Sequence, residues 1–351
     1  MAPPPVSLPE KPTLLISRPD RIGDVVISSS VIPFLRAAYP SARIYFLIHS
    51  SMHGLFQGVS ELDSLLALPP EKETSASQVQ SLTQTFKNLQ ADAIIHLHPN
   101  DIVYQAASMA KIPLKIGWKR KCCDRDLTHG LPLKKHLGRK HEALYGFDLL
   151  SFLGIPAPAM PVYHLGIGAD VDCSKHLPWS ITTPYAVINP TSARDVRRWP
   201  REHFAEISRW LREKQGLKIV SIGGSASDPA CQAFAEVSAG QEIARLEGKL
   251  SLAELVHLLQ HSKLLVTCDT GPAHLAAAVG CPQVVIFGRT EPAYGPQRWA
   301  PLSPKTMIVA ANIQKKLFET RRTFWKRGFQ SITVQRVQQA IQTAFAIKEK
   351  C

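Results

Sequence analysis

Apolar and polar positions along the chain repeat a single grammar: a short apolar run, a polar loop, then a longer segment with periodic apolar content. In the first half "TLLIS" (13–17), "ARIYFLI" (42–48), "DAIIHLH" (92–98) and the residues around Ile116 read as strands. In the second half "YAVINP" (185–190), "KIVSIGG" (218–224), "KLLVTC" (263–268) and "QVVIFG" (283–288) do the same. Such unbroken short runs are what strands buried on both faces look like. Helical content follows the first run as "GDVVISSSVIPFLRAAY" and recurs at 78–90, 101–110 and 140–153. It returns as "REHFAEISRWLREKQG" (201–216), ended by Gly216, and at 228–238, 251–261 and 272–279. The last segment, 331–350, predicts a helix with Ser331 as its cap.

Strand–helix alternation in both halves predicts an α/β protein with two doubly wound, parallel, Rossmann-like domains. Residues 1–11 read as a flexible tail, 12–170 as the first domain, 171–330 as the second and 331–351 as a terminal helix, with the linker within 166–184. In open α/β sheets ligands bind beyond the carboxyl ends of the strands. The polar loops 18–24, 190–198, 224–228 and 268–271 all lie at such ends and are expected to face a central cleft.

Composition narrows the class. A chain of 351 residues exceeds one ordinary core. The start, "MAPPPVSLPEKP", has neither the charged nor the apolar region of a secretion signal, and no apolar run approaches the ~18 residues of a membrane span. A cytoplasmic protein is expected. Seven cysteines are scattered without a C-x-x-C pair, which predicts reduced thiols and no metal. The net charge of +13 is uneven. Residues 111–140 hold ten Lys/Arg, among them Lys119, Arg120 and Lys121, against Asp124 and Asp126; 313–327 hold six against Glu319. No helix-turn-helix, RNA-recognition or zinc-finger signature accompanies them, so nucleic acid is not the expected partner. Solvated loops remain one reading of the two segments; an anionic substrate or membrane surface is the other.

Candidate chemistry sits at strand ends. In "LLVTCDTGPAHLAAAVGCP" (264–282), Asp269 or Thr270 could cap the helix that Pro272 begins. Alternatively the N–H groups of Thr270 and Gly271 meet a phosphate at the positive helix end. His274 reads as a helix residue supporting that site. In "RPDRIGDVV" (18–26), Asp24 is either an N-cap or a carboxylate that takes a proton from an attacking hydroxyl, with Arg18 and Arg21 nearby. In "NPTSARDVRRWP" (189–200), Thr191, Ser192 and the arginines form either a diphosphate clamp or a solvated loop covering Trp199. A dinucleotide-binding G-x-G-x-x-G is absent, which excludes an ordinary dehydrogenase.

Together "RPDRIGDVVISSSVIPFLRAAYP", "DAIIHLHPN", "KHEALYGFDLLSFLGI", "RRWPREHF", "SIGGSASD", "LEGKLSLAELVHLLQHSKLLVTCDTGPAHLAAAVGCP" and "FGRTEP" resemble glycosyltransferase family 9, the ADP-heptose:lipopolysaccharide heptosyltransferases. The motifs occur in the family's order over roughly residues 12–345. The resemblance implies the glycosyltransferase-B fold, with the terminal helix crossing back to the first domain. It implies inverting transfer of heptose from ADP-heptose to an inner-core sugar of lipopolysaccharide, without a cofactor. Asp24 then corresponds to the general base, Asp269 to the residue holding the donor sugar, and Thr270 and Gly271 to the phosphate-binding turn. Arg197 stands where relatives carry a lysine that neutralises the diphosphate. Asp228 falls at the ribose and Leu250 at the adenine. The anionic lipopolysaccharide core gives Arg18, Arg21 and the segment with Lys119, Arg120 and Lys121 an acceptor to bind. Leu317, Phe318, Phe324 and Trp325, interleaved with basic residues, suggest peripheral contact with the inner membrane surface. A protein acceptor for the same donor, or an ADP-sugar-binding protein without activity, are the alternatives.

Overall fold

A computed structural model of the chain describes residues 6–68, 74–120, 126–192 and 198–348. The chain divides into two compact units, 1–168 and 169–351. The first contains six parallel strands: β1 (Thr13–Ser17), β2 (Arg43–Ile48), β3 (Ser64–Ala67), β4 (Ala93–His96), β5 (Leu114–Lys119) and β6 (His129–Pro132). Its helices are α1 (Ile22–Ser28), α2 (Ile32–Ala38), α3 (Ser75–Leu89), α4 (Asp101–Met109) and α5 (Glu142–Leu150). The second contains β7 (Tyr185–Asn189), β8 (Lys218–Ser221), β9 (Ile243–Arg245), β10 (Leu264–Cys268), β11 (Gln283–Phe287) and β12 (Thr306–Ala310). Its helices are α6 (Arg201–Gln215), α7 (Pro229–Val237), α8 (Leu252–His261), α9 (Gly271–Ala278), α10 (Pro296–Trp299), α11 (Arg321–Gln330) and α12 (Val334–Lys348).

The strand orders are β3-β2-β1-β4-β5-β6 and β12-β11-β10-β7-β8-β9. Each order reverses once, between β1 and β4 in the first sheet and between β7 and β10 in the second. β1 pairs with β4 from Leu14 opposite Ala93 to Ser17 opposite His96. β10 pairs with β7 from Leu264 opposite Ala186 to Thr267 opposite Asn189. At such a reversal the flanking helices leave in opposite directions, which opens a crevice beyond the strand tips.

Helix faces close the two cores. Val79, Leu82 and Phe86 of α3, with Val103 and Ala106 of α4, pack on Leu15, Leu47 and Ile94. In the second unit Phe204, Ile207 and Leu211 of α6 cover Ala186, Ile219 and Val266. Val337 and Ile341 of α12 join the same core, each fully buried side chain contributing about 1.5–3 kcal/mol. The described part of the terminal helix therefore packs on the second sheet.

Local chemistry revises several expected boundaries. The first long helix is two helices, because Ser29 and Ser30 turn their hydroxyls back to the carbonyls of Val26 (2.6 Å) and Ile27 (2.9 Å) and tighten the chain into one 3-10 turn. The expected terminal helix is α12, but it begins at Val334, where Thr333 rather than Ser331 accepts from the Arg336 N–H. Ser331 instead ends the preceding helix α11, its hydroxyl donating to Gly328 (2.7 Å). Phe324 and Trp325 of α11 are buried, so of the four hydrophobic residues expected at a membrane surface only Leu317 and Phe318 are exposed. Trp199 is likewise buried, its ring N–H donating to the Ile332 carbonyl (2.8 Å).

Candidate active site

Each strand-order reversal carries a polar cluster. Beyond β1 and β4, α1 begins at Ile22 with Arg21 as its N-cap residue, and no side chain caps it. Asp24 is thus in the third helical position, and its carboxylate is not used as a cap. It accepts instead from the Arg18 guanidinium at 2.8 Å. Arg18, expected to meet an acceptor, is only 2% exposed. It donates to the Leu97 carbonyl (2.8 Å) and lies 3.4 Å from Asp20 and 3.6 Å from Glu142. Glu142, at the start of α5, is buried and takes a 2.9 Å bond from Lys135, whose ammonium stacks over Trp118 (4.7 Å) and Tyr145 (5.3 Å). His98 Nδ1 sits 3.2 Å from Asp20. Arg21 is exposed at the rim.

Burial is the largest influence on Asp24, and together with the nearby Asp20 and Glu142 carboxylates it outweighs Arg18. Its carboxyl is pushed up to about 6. Burial also pushes His98 down, against the pull of Asp20. A carboxylate held in one geometry with an affinity for protons raised toward neutrality suits a general base.

The basic segment is less free than its charge suggests. Lys135 is internal, Arg120 is paired with Asp101, Lys140 with Asp148, and Lys115 donates to the Ile112 carbonyl (2.8 Å). Lys111, Lys119, Lys134 and Arg139 are exposed. Lys121 lies outside the described residues.

Beyond β7 and β10 the side-chain amide of Asn189 donates to Thr267 and Thr270, 3.1 Å each. Its oxygen accepts from the Thr191 hydroxyl at 2.7 Å. Thr270 is the N-cap residue of α9, but its hydroxyl is engaged by this network and makes no cap bond. Asp269 does not cap α9 either; it is paired with Arg289, which follows β11. The N–H groups of Thr270 and Gly271 make no hydrogen bond among the described residues. They sit at the positive end of α9, as an anion site requires.

The other expected donor contacts divide. Ser192 is buried, its carbonyl clamped by Arg198 Nε (3.2 Å) and Nη2 (2.9 Å). Asp228 caps α7 by accepting from the Ala230 N–H at 2.7 Å, with Arg198 3.7 Å away. Leu250 is half-buried beside the turn at Gly248, where a φ of +72° and close approach to Ser225 would strain any side chain. His274 is buried within α9. Arg197 lies outside the described residues. No cluster of three or more His, Cys, Asp or Glu among the described residues could hold a metal ion.

Sequence reasoning missed Arg289, Asn189 and Glu142 as members of these clusters. Arg289 and Asn189 did carry a signal, since each is a polar residue at the carboxyl end of a fully buried strand. Glu142 carried none, because its partner Arg18 is remote in sequence.

A family model described as glycosyltransferase family 9 (heptosyltransferase) matches residues 79–326. The chain is 24% identical over 315 residues to lipopolysaccharide heptosyltransferase 3 of Escherichia coli strain K12, covering 84% of this chain and 86% of that protein. Its fold is similar to E. coli ADP-heptose lps heptosyltransferase II, with a TM-score of 0.75 at 21% identity over 96% of this chain and 99% of that one. It is similar too to the E. coli heptosyltransferase WaaC solved with ADP-2-deoxy-2-fluoro heptose, with a TM-score of 0.67 at 17% identity over 94% and 99%. These are the two parallel sheets of the glycosyltransferase-B fold. With its match spanning well over half of its length, the chain belongs to glycosyltransferase family 9.

Proposed function

We propose that this glycosyltransferase moves heptose from ADP-heptose to a hydroxyl of an anionic inner-core sugar of lipopolysaccharide, with inversion at the anomeric carbon. The observation that carries the reading is Asp24: half-buried, fixed by Arg18, unused as a cap and pushed up to about 6. In a single displacement the acceptor oxygen bonds to the anomeric carbon as the bond from that carbon to the diphosphate oxygen breaks. The hydroxyl proton passes to Asp24, and ADP departs with the bonding pair. Asp24 contributes most as the acceptor oxygen loses its proton, and the N–H groups of Thr270 and Gly271 stabilise charge growing on the diphosphate. In this reading the first unit binds acceptor, the second binds donor, and exposed Arg21 and Lys119 attract acceptor phosphates and carboxylates.

The test is product analysis with ADP-heptose and defined, dephosphorylated or phosphorylated core acceptors, reading anomeric configuration by NMR. A β-linked product from an α-donor, or the converse, would establish inversion; retained configuration would remove Asp24 from the base role. Leu317 (84% exposed) and Phe318 (95% exposed), next to exposed Lys315 and Lys316, support contact with an anionic membrane surface. No helix among the described residues is long and apolar enough to cross a membrane. Sedimentation with phosphatidylglycerol vesicles should fall for Leu317→Ser/Phe318→Ser and in high salt; equal sedimentation would remove the membrane from this reading.

A further inference from the structure

Asp269 poses an electrostatic problem for the donor site. A carboxylate immediately before α9 puts a full negative charge where the helix supplies only about half a positive one. By itself that balance repels a diphosphate. Arg289 reverses it. The residue follows β11, the strand beside β10, and only 4% of it is exposed. One nitrogen is paired with Asp269, while its remaining N–H groups make no hydrogen bond among the described residues.

The guanidinium is held from the other side by aromatic rings, Trp325 with its ring centre 5.1 Å away and Tyr294 at 5.9 Å. Trp325 is fixed by its N–H, which donates to both Glu291 oxygens at 2.8 and 3.0 Å. Tyr294 meets the Trp325 ring edge-on and accepts from Arg321 at 3.1 Å. The helix carrying Trp325 approaches closely because Gly328 lies against Gly288: a side chain on Gly328 would stand 2.0 Å from the Gly288 carbonyl oxygen. This is more construction than neutralising one carboxylate needs. A planar fork held at a fixed angle matches two phosphate oxygens at once.

We propose that Arg289 is a diphosphate-binding residue of the donor site, cancelling the charge of Asp269 and offering its remaining N–H groups to the phosphate nearer the sugar. This rests on the reading of the second unit as an ADP-sugar site. It specifies the ligand as a nucleoside diphosphate rather than a monophosphate, because the α9 N–H groups and Arg289 provide two separate anion contacts.

Calorimetry with ADP and with AMP tests it on the whole protein. The wild type should bind ADP more tightly than AMP. Arg289→Gln should weaken ADP about ten- to a hundredfold, the worth of a charged hydrogen bond, and change AMP by less than about threefold. Asp269→Asn should leave ADP affinity equal or higher while turnover of the sugar donor falls. Arg289→Lys keeps a charge opposite Asp269 and should lose part of the ADP preference; it carries the test should the Gln variant fail to fold. A wild type indifferent between ADP and AMP overturns the diphosphate reading of the site and this inference with it. A wild type that prefers ADP, with Arg289→Gln and Arg289→Lys both retaining the preference in full, overturns the role of Arg289 alone.

Discussion

Replacing Glu142 by Gln should move the acid limb of activity, and the size of the shift follows from the buried charges around Arg18. Asp24 and Glu142 both reach one nitrogen of Arg18, at 2.8 and 3.6 Å, so those oxygens are at most about 6 Å apart. Two like charges at that separation repel by about 3 kcal/mol at an effective dielectric of ~20 and about 0.7 in bulk water. At 1.36 kcal/mol per pKa unit the repulsion is worth roughly 0.5–2 units. Glu142 raises Asp24, so removing its charge must lower Asp24 from about 6. The assay is kcat/KM against pH, which titrates the free enzyme. Wild-type activity should fall tenfold per unit below about 6. In Glu142→Gln the limb should sit roughly 0.5–2 units lower with the plateau little changed. Asp24→Asn should lose about 10²–10⁴ in kcat across the range. A limb that stays in place in Glu142→Gln, or a wild type without one, refutes the assignment of the limb to Asp24. Stability gives a separate check. Since the folded value lies above the ordinary one, the contribution of Asp24 is fully present below pH ~4 and is lost as pH rises through about 6. Asp24→Asn should therefore raise the melting temperature at pH 8, by up to about 3 kcal/mol of stability, and do little at pH 4.

Three further outcomes follow from residues outside that network. His96 is fully buried at the end of β4, and burial with the nearby Lys115 charge pushes it down to about 3. It stays neutral in the fold while the unfolded chain takes up protons below ~6.5, so acidification toward about 3 should cost up to about 5 kcal/mol; His96→Leu should flatten that dependence in denaturant titrations, and an equally acid-sensitive variant would count against it. Asp228→Ala should destabilise by about 1 kcal/mol as a lost cap, while Asp228→Asn should cost only tenths, measured by urea unfolding; equal losses would mean the charge matters beyond capping. Gly328→Ala should cost about 1–3 kcal/mol by pushing α11 off the Gly288 carbonyl, and an unchanged urea midpoint would show that the helix yields freely.

The strands that sequence reading located are buried at every residue, as in β1, β4, β7, β10 and β11, or at most of them, as in β2, β5 and β8. Those it passed over are the partly exposed edge strands: "SLLA" of β3, "HGLP" of β6, "IAR" of β9 and "TMIVA" of β12. At a sheet edge neither unbroken hydrophobicity nor alternation survives. α11 did carry a legible signal, because Phe324, Trp325, Gly328 and Phe329 fall on one helical face, but its basic residues drew attention to charge instead. Whether Asp24 is a cap turned on where α1 begins, a matter of two or three residues that local patterning does not resolve. The pairs Arg18–Glu142 and Asp269–Arg289 join different elements, so no local pattern encodes them.

Both clusters lie at seams that the chain closes late. Arg18 meets the Leu97 carbonyl across 79 residues, and Asn189 meets Thr267 across 78. Closing a flexible loop of that length costs about 4 kcal/mol in chain entropy before any contact compensates. Pairing β1 with β4, or β7 with β10, must accordingly wait for the strand–helix units between them, which makes these parallel sheets slow to assemble. During synthesis the first unit cannot complete its acidic cluster until Glu142 has been made, more than a hundred residues after Asp24. On the proposed reading the second cannot present its anion site until Arg289 has joined Asp269, more than a hundred residues after β7 begins. An unfinished chain therefore carries exposed strand edges but no nucleotide site, and ligand binding can protect the protein only once its longest closures are complete.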